Sequence, residues 1–527
     1  MSGQGDFERR IGRRAFIFNA AAGAVAVSGY AAPGAWATGR GRGRGRPQLT
    51  SGIQSGDVTA DGAIVWGRAD RFAEMYVEVS PTESFRRSRI VRGPLATEAT
   101  DFTAQIELGD LPADEELFYR VAFAEPGRPR RLGEAQVGSF RTAPSRRFRH
   151  DVRFVWGGDT AGQGWGINPD FGGMRMYETM RRRRPDFFLH SGDTIYADGP
   201  ILPAVTLPDG SVWRNVTIPE KSKVAETLAE YRGNHRYNLL DDNVRRFNAE
   251  VPNIAQWDDH EVTNNWYPGE ILDDPRYTVR DVNTLAARGN QAFHEYWPIR
   301  QRRRERGRVY RRIAYGPALD MFVIDMRTYR GPNTANNQTA RSEQTAILGR
   351  TQLEWLKRQL ERSTATWKVI ASDMPIGLVV ADGAAAFEAV AQGSGPALGR
   401  ELEIAELLSH IKHAGIRNTV WLTADVHFSA AHYYDPSHAQ YQDFDPFWEF
   451  VSGPLHAGSF PPNALDNTFG PQVRFVKGPS SPNQPPSAGL QFAGEVLIDG
   501  ESRAMTVRIF NLAGEVLYEV GLSPQPT

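Results

Sequence analysis

The sequence predicts an α/β protein in two parts: a small all-β domain, then a large domain in which apolar strands alternate with helices. Three observations carry this. Residues 48–142 hold short stretches rich in β-branched and aromatic residues, separated by turn residues. From Val152 onward such stretches alternate with segments of helical spacing, the sign of βαβ units and a parallel sheet. One after another, these later strands end in Asp or His, which places polar groups along one sheet edge.

A chain of 527 residues with 40% apolar and 23% charged residues has core enough for two or three domains. Its formal charge of −1 gives no bulk field to attract nucleic acid, and no stable nucleic-acid partner is expected. There is no cysteine, which excludes disulfides, thiolate metal sites and a cysteine nucleophile.

At the N-terminus, Gly12–Arg13–Arg14–Ala15–Phe16–Ile17 precedes an Ala/Gly-rich run to Ala32, and Ala35–Trp36–Ala37 offers a small-x-small cleavage site. Residues 1–37 resemble a twin-arginine export signal. The resemblance implies delivery by the twin-arginine export machinery to a periplasmic or secreted location. Cutting after Ala37 removes four arginines and two acids, taking the charge from −1 to −3. The apolar run is too short and weakly apolar to span a bilayer, so an integral membrane protein is not expected. Residues 38–47 alternate Gly and Arg, as a flexible linker does.

The small domain is expected over residues 48–143, with strands at Ala63–Trp66, Met75–Val79, Phe102–Leu108, Leu117–Ala124 and Val137–Phe140. Strands of this spacing read as a β-sandwich with Trp66 and Tyr119 in its core. Tyr119–Arg120–Val121 looks like the late strand of a fibronectin type III domain. No catalytic cluster occurs here.

The large domain, residues 148–525, opens with Val152–Trp156 running into Gly157–Gly158–Asp159. A helix over Met174–Arg184 shows Met174, Tyr177 and Met180 on one face and ends in Arg181–Arg184, read as a solvated helix end. Phe187–Phe188–Leu189 then runs into His190–Ser191–Gly192–Asp193, with Tyr196 and Asp198 close behind. A right-handed βαβ unit puts both strand tips on one edge, so Asp159 and Asp193 can meet. Residues 200–250 form an insertion whose place is open, a lid being one reading. Val251–Trp257 ends in Asp258–Asp259–His260–Glu261, with Asn264 following. Arg302–Arg312 reads as a solvated basic face. Ala318–Ile324 leads to Asp325–Met326–Arg327, Trp367–Ala371 to Asp373, and Thr419–Leu422 to Asp425–Val426–His427. Gln352–Leu360 and Glu401–His413 are amphipathic helices, and strands between Leu490 and Gly521 close the sheets. Acids are rarely buried unless paired or bound to metal, and an oxygen-rich set suits hard cations.

These motifs also carry a family likeness. Gly157–Gly158–Asp159, Ser191–Gly192–Asp193, Asp259–His260–Glu261 and Asp425–Val426–His427 resemble the ordered motifs of calcineurin-like metallophosphoesterases. More narrowly, HSGDTIYADG, WDDHEVTNNW, AFHEYWPIR, IDMRTYRG and LTADVHFSA resemble the alkaline phosphatase D (PhoD) family. The resemblance implies a double-sheet metallophosphatase core flanked by helices, behind a fibronectin type III-like domain. It implies hydrolysis of phosphomonoesters and phosphodiesters at alkaline pH, outside the cytoplasm, with iron(III) and calcium. It assigns Asp159, Asp193, Tyr196, Asp259, Asp425 and His427 as metal ligands, with Asp193 bridging and Tyr196 as the phenolate. Asp373 stands where the superfamily often has a His ligand. Asp159 replaces a Cys ligand, which leaves Mn, Mg or Zn open as well as iron and calcium.

The catalytic set is then His260, Asp193 and Asp259: a metal-activated water or hydroxide attacks phosphorus in line, with His260 donating to the phosphate. Asn264 joins His260 in substrate binding, while His190, Asp258 and Arg327 brace the ligands. The alternatives are a phospholipase D-like phosphodiesterase and a non-catalytic envelope-binding protein with a relic metal site. Small phosphate esters are the expected substrates of the enzyme.

Overall fold

The computed structural model describes residues 45–526, apart from 146–148, 208 and 303. The expected export signal and most of the Gly/Arg linker lie outside the described residues. The chain divides into two compact units.

The first unit takes the residues up to Arg149 together with Asn248–Asn253 and Glu295–Arg300. Its strands are β1 (Leu49–Gly56), β2 (Ala63–Ala69), β3 (Ala73–Ser80), β4 (Arg89–Ala96), β5 (Thr103–Leu108), β6 (Glu116–Ala124) and β7 (Gln136–Arg141). They pair in the orders β1–β2–β5 and β4–β3–β6–β7. Ile53, Val65, Met75, Val77, Leu117, Val121 and Phe140 fill the space between, contributed by both sheets. Tyr119 is fully buried in this core; Trp66 is fully buried outside it, its ring 5.9 Å from that of Tyr296. Each must satisfy its buried polar tip. Trp66 Nε1 donates to the Glu295 carbonyl at 2.7 Å and the Tyr119 hydroxyl to the Ala249 carbonyl at 3.2 Å. Those acceptors come from the two segments that return to this unit late in the chain.

The second unit takes His150–Phe247, Ile254–His294 and the residues from Gln301 on. In chain order the elements after β7 are β8 (Val152–Gly157), α1 (Arg175–Arg181), β9 (Phe187–Ser191), β10 (Ala204–Thr206), β11 (Val212–Arg214), α2 (Leu228–Asn238) and α3 (Asp242–Glu250). There follow β12 (Asn253–Gln256), α4 (Val282–Tyr296), β13 (Arg311–Tyr315), β14 (Leu319–Val323), α5 (Gly349–Glu361), β15 (Trp367–Ala371), β16 (Ala381–Asp382) and β17 (Ala386–Phe387). The chain ends with α6 (Glu401–His413), β18 (Thr419–Thr423), β19 (Ser429–Tyr434), β20 (Phe447–Val451), β21 (Pro471–Lys477), β22 (Phe492–Ile498), β23 (Met505–Asn511) and β24 (Val516–Leu522).

Two sheets form the body of this unit, ordered β24–β23–β22–β8–β9–β12 and β13–β14–β15–β18–β20–β19–β21. Strands β8 and β9 are parallel, as are β14, β15, β18 and β20. Aromatic side chains join the facing sheets: Trp156 lies 6.5 Å from Phe450 and Phe187 lies 4.7 Å from Tyr315, ring centre to ring centre. The buried Gln256 amide crosses from one sheet to donate to the carbonyls of Ile324, 2.8 Å, and Ala371, 3.1 Å, at the other's strand ends. Helices α5 and α6 cover the second sheet, setting Leu353, Leu356, Leu360, Ile404, Leu407 and Ile411 against Phe322, Ile370 and Trp421. This is the α/β double-sheet sandwich with an all-β N-terminal part that the sequence predicts. Among the described residues, no helix is long and apolar enough to cross a membrane.

Three expectations change. The insertion at 200–250 is a buttress rather than a lid. Its residues bond to the carbonyls of the loop after β9: Asn238 Nδ2 to Thr194 at 2.7 Å, Lys221 Nζ to Tyr196 at 3.0 Å and the Ala225 amide to Ala197 at 2.8 Å. Arg183 is not solvated: it pairs with Glu495 at 3.0 Å and stacks 3.9 Å over Phe510. Nor is Arg311, which is buried and donates to the Ala255 carbonyl at 2.9 Å. A long cationic stem folds inward when a carboxylate, carbonyl or aromatic face waits for its head group.

Candidate metal centre

The strands that carry the acids belong to two sheets rather than to the one edge the sequence suggests, β8, β9 and β12 in the first and β15 and β18 in the second, and the backbone turns sharply at several of their tips. Asp159, Asp193, Asp425 and His427 all adopt left-handed conformations, with φ of 68°, 51°, 69° and 58°. Each such residue costs on the order of 1 kcal/mol and persists where the surroundings over-determine it, which happens chiefly at functional sites. Gly192, at φ 97°, makes the turn before Asp193; a Cβ there would stand 2.5 Å from that of Asp258. Only glycine lets the loop after β9 close on the loop after β12.

The tips bring the acids together. One ligand atom each from Asp159, Asp193 and His427 lies within 4.8 Å of the others; so do those of Asp193, Asp259 and His260, and those of Asp258, Asp259 and Asp425. Asp193 belongs to the first two sets and Asp259 to the last two. Asp159 is fully buried, yet neither carboxylate oxygen accepts a hydrogen bond, and the same holds for Asp373. A buried carboxylate without a donor is costly unless a cation compensates it. The donor chemistry, mostly carboxylate with the imidazoles of His427 and His260, fits a hard or borderline metal ion.

Around this set, Tyr196 is buried with its hydroxyl 2.7 Å from His427 Nε2, and the other His427 nitrogen, Nδ1, contacts the Gly458 carbonyl. His260 Nδ1 lies 2.7 Å from Asp198 Oδ1, which leaves Nε2 directed to the acids, 4.0 Å from Asp259 Oδ2. Asp259 accepts from the amides of His260, 2.8 Å, and Asn265, 2.6 Å. Arg327, fully buried, lies against Asp258 at 2.5 Å, Asp373 at 3.5 Å, Asp425 at 3.7 Å and Asp259 at 3.8 Å, and also contacts Glu388.

Burial pushes the carboxyls of Asp159, Asp193, Asp373 and Asp425 well above the usual range, and their mutual repulsion, with Asp258 or Asp259 among the closest neighbours, adds to it. Asp259 goes the other way: burial opposes its charge, but His260, Arg327 and two backbone amides hold it ionised. His260 is raised to about 10: burial resists, and Asp198 and Asp259 prevail. His427 is lowered to about 4 by burial. Burial, then the negative charges of Asp193 and Asp159, keep the Tyr196 phenol protonated far above its ordinary value. The protein alone disfavours four ionised acids in one place, so a cation taken up here would release protons.

Two predicted residues lie differently. Asn264 is exposed and reaches the cluster through its backbone amide, which donates to Asp198 Oδ2 at 3.0 Å. His190 is buried at the base of the tips, 3.3 Å from Thr160 Oγ1 and 3.5 Å from the Tyr177 hydroxyl. Several residues escaped the sequence reading. Glu261 ties the loop after β12 to the loop after β9, accepting from the amide and hydroxyl of Thr194 at 2.5 and 2.6 Å and from the Asp258 amide at 2.7 Å. Its place beside His260 was visible in the motif. Glu388 lies in an Ala-rich stretch and carried no signal at all.

The comparisons with known proteins cover most of the chain. Residues 154–509 match the family described as PhoD-like phosphatase, and residues 35–144 match the PhoD-like phosphatase N-terminal domain. Alkaline phosphatase D of Bacillus subtilis is 26% identical over 405 residues, 73% of this chain. The match spans 65% of that relative's length. A solved structure of PhoD superposes with a TM-score of 0.66 at 21% identity, covering 90% of this chain and 89% of the other. Purple acid phosphatase PPD1 from yellow lupin (Lupinus luteus) has a TM-score of 0.53 at 12% identity, over 90% of this chain and 74% of the other. At these identities the two structures speak for the fold.

Proposed function

The chain belongs to the PhoD-like phosphatase family, and on that premise we propose that it is a metal-dependent phosphoric ester hydrolase acting outside the cytoplasm. The observation that carries the reading is the set of strand-tip acids held in left-handed turns, with buried oxygens at Asp159 that accept nothing from the protein. Asp159, Asp193, Tyr196 and His427 would hold one cation. Asp193, Asp259, Asp373 and Asp425 would hold a second, with Asp193 common to both. Bound metal ions supply Lewis acidity: they neutralise phosphoryl oxygens and make a water nucleophilic near neutral pH.

The chain's own residues do the rest. His260, held by Asp198, keeps its proton into the alkaline range and presents Nε2 as a donor to the phosphoryl or leaving oxygen. Asp259, fixed by two amides, keeps that imidazolium in place. Asn264, exposed beside this pair, serves the substrate. Small phosphate esters are the substrates, and the N-terminal residues direct export through the twin-arginine machinery.

The test is hydrolysis of p-nitrophenyl phosphate and bis-p-nitrophenyl phosphate by metal-loaded, stripped and Asp193→Asn protein. Loaded wild type should turn over at least one of them. Stripped protein and the variant should lose about three orders of magnitude or more. Full activity in the stripped protein would refute metal dependence, and no turnover by the loaded enzyme would refute the assignment. Where iron is the ion at Tyr196, Tyr196→Phe should bleach its charge-transfer colour; an unchanged spectrum removes the phenol from the ligand set.

A further inference from the structure

We propose that Arg327 makes the two cation positions unequal: it competes for the carboxylates of the second position, so that the ion there binds more weakly and exchanges, while the ion at Asp159, Asp193 and His427 is retained. The inference rests on the metal-centre reading above and concerns how that centre is loaded.

The guanidinium is fully buried among five acids from four loops. Its contacts are one-sided. Of the residues assigned to the second position, Asp259, Asp373 and Asp425 lie within 3.8 Å of it, as does Asp258 beside them. Of the set of Asp159, Asp193 and His427, none is among its ion-pair partners.

Arg327 is also unlike an arginine that merely holds backbone in place. Arg400, at the head of α6, spends its guanidinium on the carbonyls of Phe387, Glu388, Ala389, Gly331 and Pro332 and on Asn333 Oδ1. Arg327 donates a well-formed hydrogen bond only from Nε, to Asp258, while Nη1 and Nη2 make none. Its partners are gathered by charge rather than by hydrogen-bond geometry. A permanent cation among carboxylates stabilises their ionised forms. By the same Coulomb term it repels a metal ion that enters to share them.

The test measures metal binding directly. Wild-type full-length protein, stripped of metal, is titrated with Mn2+ by equilibrium dialysis. Two classes of site are expected, differing at least tenfold. Arg327→Gln should tighten the weak class by about tenfold and leave the tight class within twofold; Arg327→Lys, which keeps the charge, should restore the wild-type order. Glu388→Gln offers a check that keeps the arginine: it removes another carboxylate paired with the guanidinium, and the weak class should loosen several-fold. Should Arg327→Gln fail to fold, the Glu388→Gln result decides. Two equal classes in wild type would overturn the inference alone. So would an Arg327→Gln protein with an unchanged weak class, or a Glu388→Gln protein that binds tighter. A wild type that binds no Mn2+ overturns the metal-centre reading and this inference with it.

Discussion

Gly162 lies against the ring of Tyr196, so closely that a Cβ there would stand 2.5 Å from ring Cζ. Real Cβ atoms do not approach so near, and the buried phenol has nowhere to retreat. Gly162→Ala should therefore displace the hydroxyl from His427, lowering kcat by about 10- to 100-fold, as disturbing a ligand's support does. The check is kcat beside a circular dichroism spectrum that stays the same. At this scale the acids themselves were legible, because charged residues following apolar strands have few bland explanations. Their conformations were not. Aspartate tolerates a positive φ better than most residues, but nothing in Gly–Asp or Ala–Asp announces that it will adopt one. Glu388 reaches Arg327 only through the path of its loop, and Asp198 meets His260 across 62 residues of sequence.

Among the helices, α6 coincides with the predicted Glu401–His413, since its apolar spacing is that of a helix laid on a sheet. Helix α2 went unread for a physical reason: its buried face is Tyr231, Asn234, His235, Tyr237 and Asn238, a polar stripe that no hydrophobic period reveals. Its Thr227–Glu230 capping box was the available cue. Strand β4 is half exposed and β1 is rich in Ser and Gly, so neither has the composition of a core strand. The head of α6 also carries a titration. Burial, then repulsion from Asp466, raises Glu401 to about 9, although the helix N-terminus favours an anion there. A raised folded-state value means stability in hand below the unfolded value of 4.5 and lost as pH climbs through about 9. Melting temperature should fall between pH 5 and pH 9 with a contribution of up to about 1.4 kcal/mol per pH unit. In Glu401→Gln that slope should flatten; an unchanged slope in calorimetry would reject the assignment.

For the whole molecule, the two-part α/β organisation was visible in the switch from clustered strands to strands alternating with helices. The boundaries were not contiguous, because Asn248–Asn253 and Glu295–Arg300 return to the first unit. Main-chain acceptors recruited by Trp66 and Tyr119 leave no trace in composition. A chain beginning at residue 150 keeps those segments without their partners, and is expected to aggregate where the full chain is monodisperse in size-exclusion chromatography. Metal should stabilise the intact protein by mass action, by about 2.7 kcal/mol per site at a hundredfold excess over Kd. Differential scanning calorimetry of stripped and reloaded protein reads this as a rise in Tm on loading.

The bonds from Lys221, Ala225 and Asn238 to the carbonyls of Tyr196, Ala197 and Thr194 have a consequence for exchange between relatives. The stretch that looks most dispensable is the keel on which the Asp193 turn is laid. Transplanting 200–250 from a cousin, even one with every acid in common, should yield a hybrid that folds yet handles phosphate poorly, until its new keel is refitted to the turn above it.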